Sequence, residues 1–187
     1  PESYYGYTKL ISENTIIEYK KKYDFNYAIL RYFNVVGADF KLRTGEITHG
    51  SLFKHLCNSL KTKRKFSIYG TDYKTKDGTC IRDYIHVTDL ADIHIKGLDY
   101  LKKNKKSFIL NCGYGKGYSV QQIVNIFKNI KKNVSVEYLK RRPGDIAQVY
   151  SNTKKFKKLL NWKPKHNNIK KIILSAIKWE KKLNKKN

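Results

Sequence analysis

Apolar residues recur along this chain with two alternating periods, and the alternation marks out its elements. Between Tyr4 and Tyr23 the spacing is helical, with Leu10, Ile11, Asn14 and Ile17 on one face. Lys20, Lys21 and Lys22 gather where a helix C-terminus favours cations. Tyr27 to Tyr32 is instead a short, nearly continuous run suited to a buried strand. Past a polar loop from Gly37 to Gly50, helical spacing returns in Leu52, Phe53, Leu56, Cys57 and Leu60. Strand patterns follow at Phe66–Tyr69 and, beyond a long loop from Gly70 to Thr79, at Ile81–Val87. Thr88-Asp89 offers a cap to a helix carrying Leu90, Ala91, Ile95 and Leu98. Phe108–Cys112 reads as a further strand, then a glycine-rich turn opens a helix from Ser119 through Ile123, Phe127 and Ile130. Val134–Leu139 alternates as a strand, and from about Thr153 two lysine-rich helices are broken at Trp162-Lys163-Pro164. Strands and helices in alternation predict an α/β architecture.

Composition narrows the class. With 187 residues and 40% hydrophobic content the chain can bury a core, which excludes wholesale disorder. No apolar run approaches the roughly 18 residues of a membrane span, and no signal-peptide pattern opens the chain. Cys57, Cys80 and Cys112 are odd in number and far apart, which argues against a disulfide framework or a clustered metal site and for a reducing, cytoplasmic setting. A start at Pro1 and the lack of any Met lead to the expectation of a piece of a longer protein.

Charge is the conspicuous property: 40 Lys+Arg against 15 Asp+Glu give +25. Such a balance suits a nucleic-acid backbone. However, only six of the forty are arginines, and the lysines fall in helical runs such as Lys154-Lys155 and Lys157-Lys158, as on solvated faces. No specific nucleic-acid partner is expected; the positive field favours a small phosphorylated ligand instead.

Two motifs invite chemistry. The turn Gly113-Tyr114-Gly115-Lys116-Gly117 follows a strand and opens a helix, but the third glycine of a dinucleotide fingerprint would fall at Tyr118. It reads as a tight turn with Ser119 as the cap. Tyr5 and Lys9 stand four apart, hence on one helical face, and an adjacent ammonium favours the phenolate that a hydroxyl-deprotonating base requires. Tyr150 and Lys154 repeat the spacing, so spacing alone selects neither pair.

Context selects the first. Ser3-Tyr4-Tyr5-Gly6-Tyr7-Thr8-Lys9 resembles the active-site helix of extended short-chain dehydrogenases/reductases, and Arg31-Tyr32-Phe33-Asn34-Val35-Val36-Gly37-Ala38 resembles that family's strand leading into the substrate site. Ile68-Tyr69-Gly70-Thr71-Asp72-Tyr73, continuing through Asp77 and Gly78 to Arg82-Asp83-Tyr84-Ile85-His86, is similar to the long form found in UDP-glucose 4-epimerases. Asn111-Cys112-Gly113, Arg141-Arg142-Pro143-Gly144-Asp145 and Leu160-Asn161-Trp162 continue in the same order, so the resemblance covers essentially the whole chain.

The resemblance implies NAD as cofactor, a UDP-sugar as substrate and 4-epimerisation of UDP-glucose/UDP-galactose through a 4-keto sugar. It places Tyr5 and Lys9 as catalytic and cofactor-binding residues, with Tyr32 and Phe33 beside the nicotinamide. It places Asn34, Leu52, Ser67, Ile68, Tyr69, Arg82, Arg142 and Asp145 around the nucleotide. His86 reads as a structural histidine, and no metal is expected. The implied architecture is the C-terminal portion of an NAD-binding Rossmann-type domain (residues 1–34 and 81–103) plus a smaller α/β substrate-binding domain (35–80 and 104–187), in a protein that forms a homodimer. A glycine-rich phosphate loop and the Ser or Thr that would complete the Tyr-Lys triad are expected upstream of Pro1, so the chain alone is expected to be inactive. Alternatives are a UDP-uronate or UDP-pentose 4-epimerase, a 4,6-dehydratase, and outside enzymes a basic nucleic-acid-binding domain.

Overall fold

Ser3 starts the first helix: its Oγ accepts the Gly6 N–H at 3.1 Å, and α1 runs Tyr4–Lys22 until Tyr23 turns extended. The computed structural model describes residues 1, 3–47 and 50–185. No residue of α1 is fully buried; Gly6, Leu10, Glu13, Ile17 and Lys20 form its half-buried stripe. Leu10 and Ile17 thus lie on the expected face, whereas Ile11 and Asn14 are exposed. The helix is anchored on its Glu13 side, where Arg31 donates to the Glu13 carboxylate from both Nε (2.8 Å) and Nη2 (2.5 Å). That arginine also holds the Glu13 carboxyl below its ordinary range.

Arg31 belongs to β1 (Ala28–Tyr32), which pairs in parallel with β5 (Phe108–Cys112), Tyr32 facing Cys112. A strand pair therefore joins segments on either side of the domain boundary expected near residue 104. β2 (Asn34–Val36) pairs in parallel with β4 (Ile81–His86), which also pairs antiparallel with β6 (Gly117–Ser119) and parallel with β8 (Gln148–Val149). β3 (Phe66–Tyr69) pairs in parallel with β7 (Val136–Leu139).

Five further helices cover these strands: α2 (Leu52–Thr62), α3 (Val87–Asn104), α4 (Val120–Ile130), α5 (Lys154–Leu160) and α6 (Ile169–Leu183). Phe53, Leu56, Ile85, Ile93, Ile123, Phe127, Phe156 and Ile173 are sealed among them in one core. Ser119 caps α4 with a capping box, its Oγ accepting the Gln122 N–H while Gln122 accepts the Ser119 N–H. The cap of α3 differs from the expected Thr88-Asp89. β4 runs into α3 without a loop, so His86 takes the capping position and its Nδ1 accepts the Thr88 N–H at 3.2 Å. Asp89 lies inside the first turn, where it accepts from the Tyr114 hydroxyl (2.7 Å) and from the backbone of Lys165 and His166. Among the described residues no helix is long and apolar enough to cross a membrane.

Candidate active site

β2, β3, β4 and the start of α2 open onto a cavity of about 370 Å³. Seven residues expected around a nucleotide line it: Asn34, Leu52, Ser67, Tyr69, Arg82, Arg142 and Asp145. The eighth, Ile68, is not among the lining residues, and its side chain is sealed in the core. Strand β3 exposes Tyr69 and half-exposes Ser67, and Ser67 Oγ donates to Glu137 across the β3–β7 pair at 2.6 Å.

Two guanidiniums dominate the cavity. Arg82 Nη1 donates to the carbonyls of Ile81 (2.9 Å) and Ile146 (2.6 Å), which fixes its rotamer, and its Nη2 stands 3.7 Å from Asp145. Arg142 Nε donates to the other Asp145 oxygen at 3.3 Å, while its guanidinium lies 4.5 Å over the Tyr69 ring. One carboxylate thus sits between two forks, and one aromatic face is already stacked by a planar cation. The neighbouring Arg141 pins the loop before β4, pairing with Asp72 at 2.7 Å and lying 4.1 Å over Tyr73.

Arg82 and Asp83 do not form an ion pair in this arrangement. Asp83 is fully buried and accepts from the amides of Tyr114 (3.0 Å), Gly115 (2.9 Å) and Ser151 (3.2 Å) and from the Ser151 hydroxyl (2.6 Å). The glycine-rich turn is thereby closed over a carboxylate, and a Cβ on Gly113 would stand 2.5 Å from Asp83 Oδ2. The Tyr114 and Gly115 amides of this turn are therefore already taken by Asp83.

Tyr5 and Lys9 do converge, with Lys9 Nζ 5.0 Å from the centroid of the Tyr5 ring. They stand apart from the cavity lining, and Tyr5 is 72% exposed. Tyr32 lies at the end of β1, with its hydroxyl 2.6 Å from His94 Nε2; Phe33 follows, its N–H donating to the Cys112 carbonyl at 3.4 Å. The next residue, Asn34, already lines the cavity, so one continuous segment leads from the expected cofactor side to the expected substrate side.

His86 is fully buried and hydrogen-bonded, with Nε2 3.3 Å from Ser175 Oγ, as a structural histidine should be. Among the described residues no group of His, Cys, Asp and Glu is arranged to hold a metal ion. Cys57, Cys80 and Cys112 are free and buried. Sequence reasoning assigned no site role to Phe53, His55, Phe66, Cys80, Tyr84 and Val120, which complete much of the cavity wall. For the apolar ones the spacing looks the same whether a residue faces a core or a ligand, and nothing in the sequence ties His55 to a ligand.

The NAD dependent epimerase/dehydratase family matches residues 1–113. The UDP-glucose 4-epimerase of Azospirillum brasilense is 41% identical over 98% of this chain, which covers 54% of that protein. UDP-arabinose 4-epimerase 1 of Arabidopsis thaliana is 42% identical over 97% of this chain and 45% of its own length. A crystal structure of UDP-glucose-4-epimerase from Stenotrophomonas maltophila, with bound NAD and formylated UDP-arabinopyranose, superposes with a TM-score of 0.92 at 32% identity, over 98% of this chain and 56% of the other. The chain therefore spans about half the length of the curated relatives it matches.

Proposed function

The chain belongs to the NAD dependent epimerase/dehydratase family, and from that premise we propose that it is part of a UDP-sugar 4-epimerase, contributing the nucleotide-sugar cavity and the Tyr5–Lys9 pair. The observation that carries this reading is the convergence of Arg82, Arg142, Asp145 and Tyr69 on one cavity of about 370 Å³, within the ordinary size range of small-molecule sites.

Each side chain has a task that suits its chemistry. Arg82, locked by two carbonyls, and Arg142, backed by Tyr69, present planar donors to a diphosphate. Asp145 accepts from ribose hydroxyls, and Asn34 donates its amide to phosphate oxygens. Tyr69 gives uracil a stacking face, Leu52 an apolar contact, and the backbone of Ser67 and Ile68 its polar edge. With the nucleotide anchored, the sugar is free to present either face. Tyr5 takes the proton from the sugar O4 and returns it, while Lys9 keeps a positive charge beside the ring.

The residues present also suit the nicotinamide end of NAD. Tyr32 and Phe33 sit at the carboxyl end of a parallel strand, the usual ligand edge of such sheets, with Tyr32 53% exposed. Lys9 makes no ion pair among the described residues and would hold the nicotinamide ribose. NAD, when bound, would supply reversible oxidation at the sugar C4. The exposed apolar face of α1 (Tyr4, Tyr7, Ile11) is the surface we assign to pairing of two subunits in a homodimer.

UDP-glucose/UDP-galactose is the leading substrate pair. UDP-pentose is the second reading, favoured by the 42% identity to the Arabidopsis UDP-arabinose 4-epimerase. Full-length protein assayed on both pairs decides between them. In that protein Tyr5→Phe is expected to lower turnover by about 10²–10⁴-fold while UDP affinity, measured by calorimetry, stays put. Undiminished turnover removes Tyr5 as the base.

A further inference from the structure

His94 lies outside the motifs quoted above, yet it is tied to the end of β1. Its Nδ1 stands 2.8 Å from the carbonyl of Leu90, one turn back on α3. A carbonyl only accepts, so Nδ1 carries the proton, and in the neutral ring Nε2 is left as an acceptor. The Tyr32 hydroxyl, 2.6 Å from Nε2, must then be the donor. The two rings also pack, with centroids 5.4 Å apart and planes tilted by 59°. The direction of every proton in the relay from Tyr32 through His94 to Leu90 is thereby set by the backbone of α3.

The fold itself does not call for this tether. The Tyr32 backbone is already registered against Cys112 in the β1–β5 pair, and both side chains sit at the surface. Ordering an exposed tyrosine forfeits side-chain entropy, so the bond is more than packing. Its location supplies the use, since Tyr32 ends a parallel strand two residues before Asn34 enters the cavity.

We propose that His94 is a positioning residue for the cofactor side of the site, holding the Tyr32 phenol in one orientation against the nicotinamide end of a bound dinucleotide. The proposal rests on the epimerase reading above. With its proton committed to His94, the Tyr32 oxygen faces outward as an acceptor, matched to a ligand amide, and its ring forms a fixed wall. His94 touches no reacting atom and acts through Tyr32 alone.

The test uses full-length protein carrying His94→Leu, Tyr32→Phe, the pair together, and His94→Gln, whose side-chain oxygen can again accept from the phenol. Readouts are kcat and KM for the UDP-sugar, UDP affinity by calorimetry, and nicotinamide retained per subunit by absorbance after gel filtration. His94→Leu and Tyr32→Phe are each expected to lower kcat about tenfold and to shed nicotinamide, with KM and UDP affinity within about twofold of the parent. The double variant should be no worse than either single one, and His94→Gln should recover most of the loss. Unchanged kcat and retention in His94→Leu, or losses that multiply in the double variant, overturn the proposal. If His94→Leu does not fold, the contrast between Tyr32→Phe and His94→Gln carries the same decision. Failure of the epimerase reading looks different: the unmutated full-length protein would hold no nicotinamide and convert no UDP-sugar, and the role of His94 would fall with it.

Discussion

His86 shows how much one buried side chain can hold. Its Nδ1 accepts the Thr88 N–H, so the proton sits on Nε2 and is given to Ser175 Oγ, which also accepts from the Ala38 N–H and donates to the Ile172 carbonyl. Phe40 stacks on its ring at 4.9 Å, and His166 lies 5.2 Å away. Burial, and then the charge His166 can carry, push the His86 pKa from 6.5 down to about 4. A proton on Nδ1 would also set one N–H against another at the start of α3. The unfolded chain binds that proton below about pH 6.5 and the folded chain resists it down to about pH 4. Stability is therefore full above the window and declines as pH falls through it, by roughly 3 kcal/mol. Melting temperatures measured between pH 7 and pH 4 should show this slope, and His86→Gln should flatten it even if its plateau is lower. A parent protein with a level profile over that range contradicts the assignment.

Among the elements, α2 and α6 are joined by a largely buried ion pair: Lys54 Nζ donates to both Glu180 oxygens at 2.8 Å, with both side chains nearly buried. The thiol of Cys57, one turn on from Lys54, is pushed up to about 12 by burial and then by the Glu180 charge. Glu180→Gln strands an ammonium in this interior and should cost about 3–5 kcal/mol in denaturant unfolding. Lys54→Met combined with Glu180→Leu should lose far less than the two single changes added together. Equal and additive losses would show the pair to be solvated after all. Neither partner was legible in the sequence as one of a pair, because 126 residues separate them. What was legible followed from local repetition: α4 from its apolar face and Ser119 cap, and β1 and β5 from short apolar runs. Strands β6 and β8 have three and two residues, too few for any period, and exist because β4 offers them free edges. The site divides the same way. Arg82, Arg142 and Asp145, named together by motif resemblance, line one cavity, whereas the Tyr32–His94 bond is a contact between positions 62 apart that no spacing encodes.

Across the whole molecule, the proposed substrate side is furnished and the proposed cofactor side is open. The cavity draws its lining from β2, β3, β4, α2 and the 142–145 turn, all within this chain. The proposed cofactor edge has Tyr32, Phe33 and the Tyr5–Lys9 pair, while the amides of Tyr114 and Gly115 are bound by Asp83. Large apolar groups stand bare on α1 and α3: Tyr5 at 72%, Tyr19 at 57% and Ile95 at 62% exposure. Such a surface wants a covering of protein, and the curated relatives are about twice as long as this chain. The 187-residue polypeptide by itself should therefore separate two abilities that the proposed full-length epimerase would combine. It should bind UDP, with Arg82→Ala weakening that binding tenfold or more through loss of a charge-assisted contact. It should retain no NAD through gel filtration and convert no UDP-sugar, and the amides of α1, which buries no residue, should exchange with solvent rapidly. Calorimetry with UDP, absorbance of the filtered protein and hydrogen exchange decide the matter together. Stoichiometric NAD on this polypeptide, or a cavity indifferent to UDP, would mean that the labour between the two sides is divided differently from the way these side chains indicate.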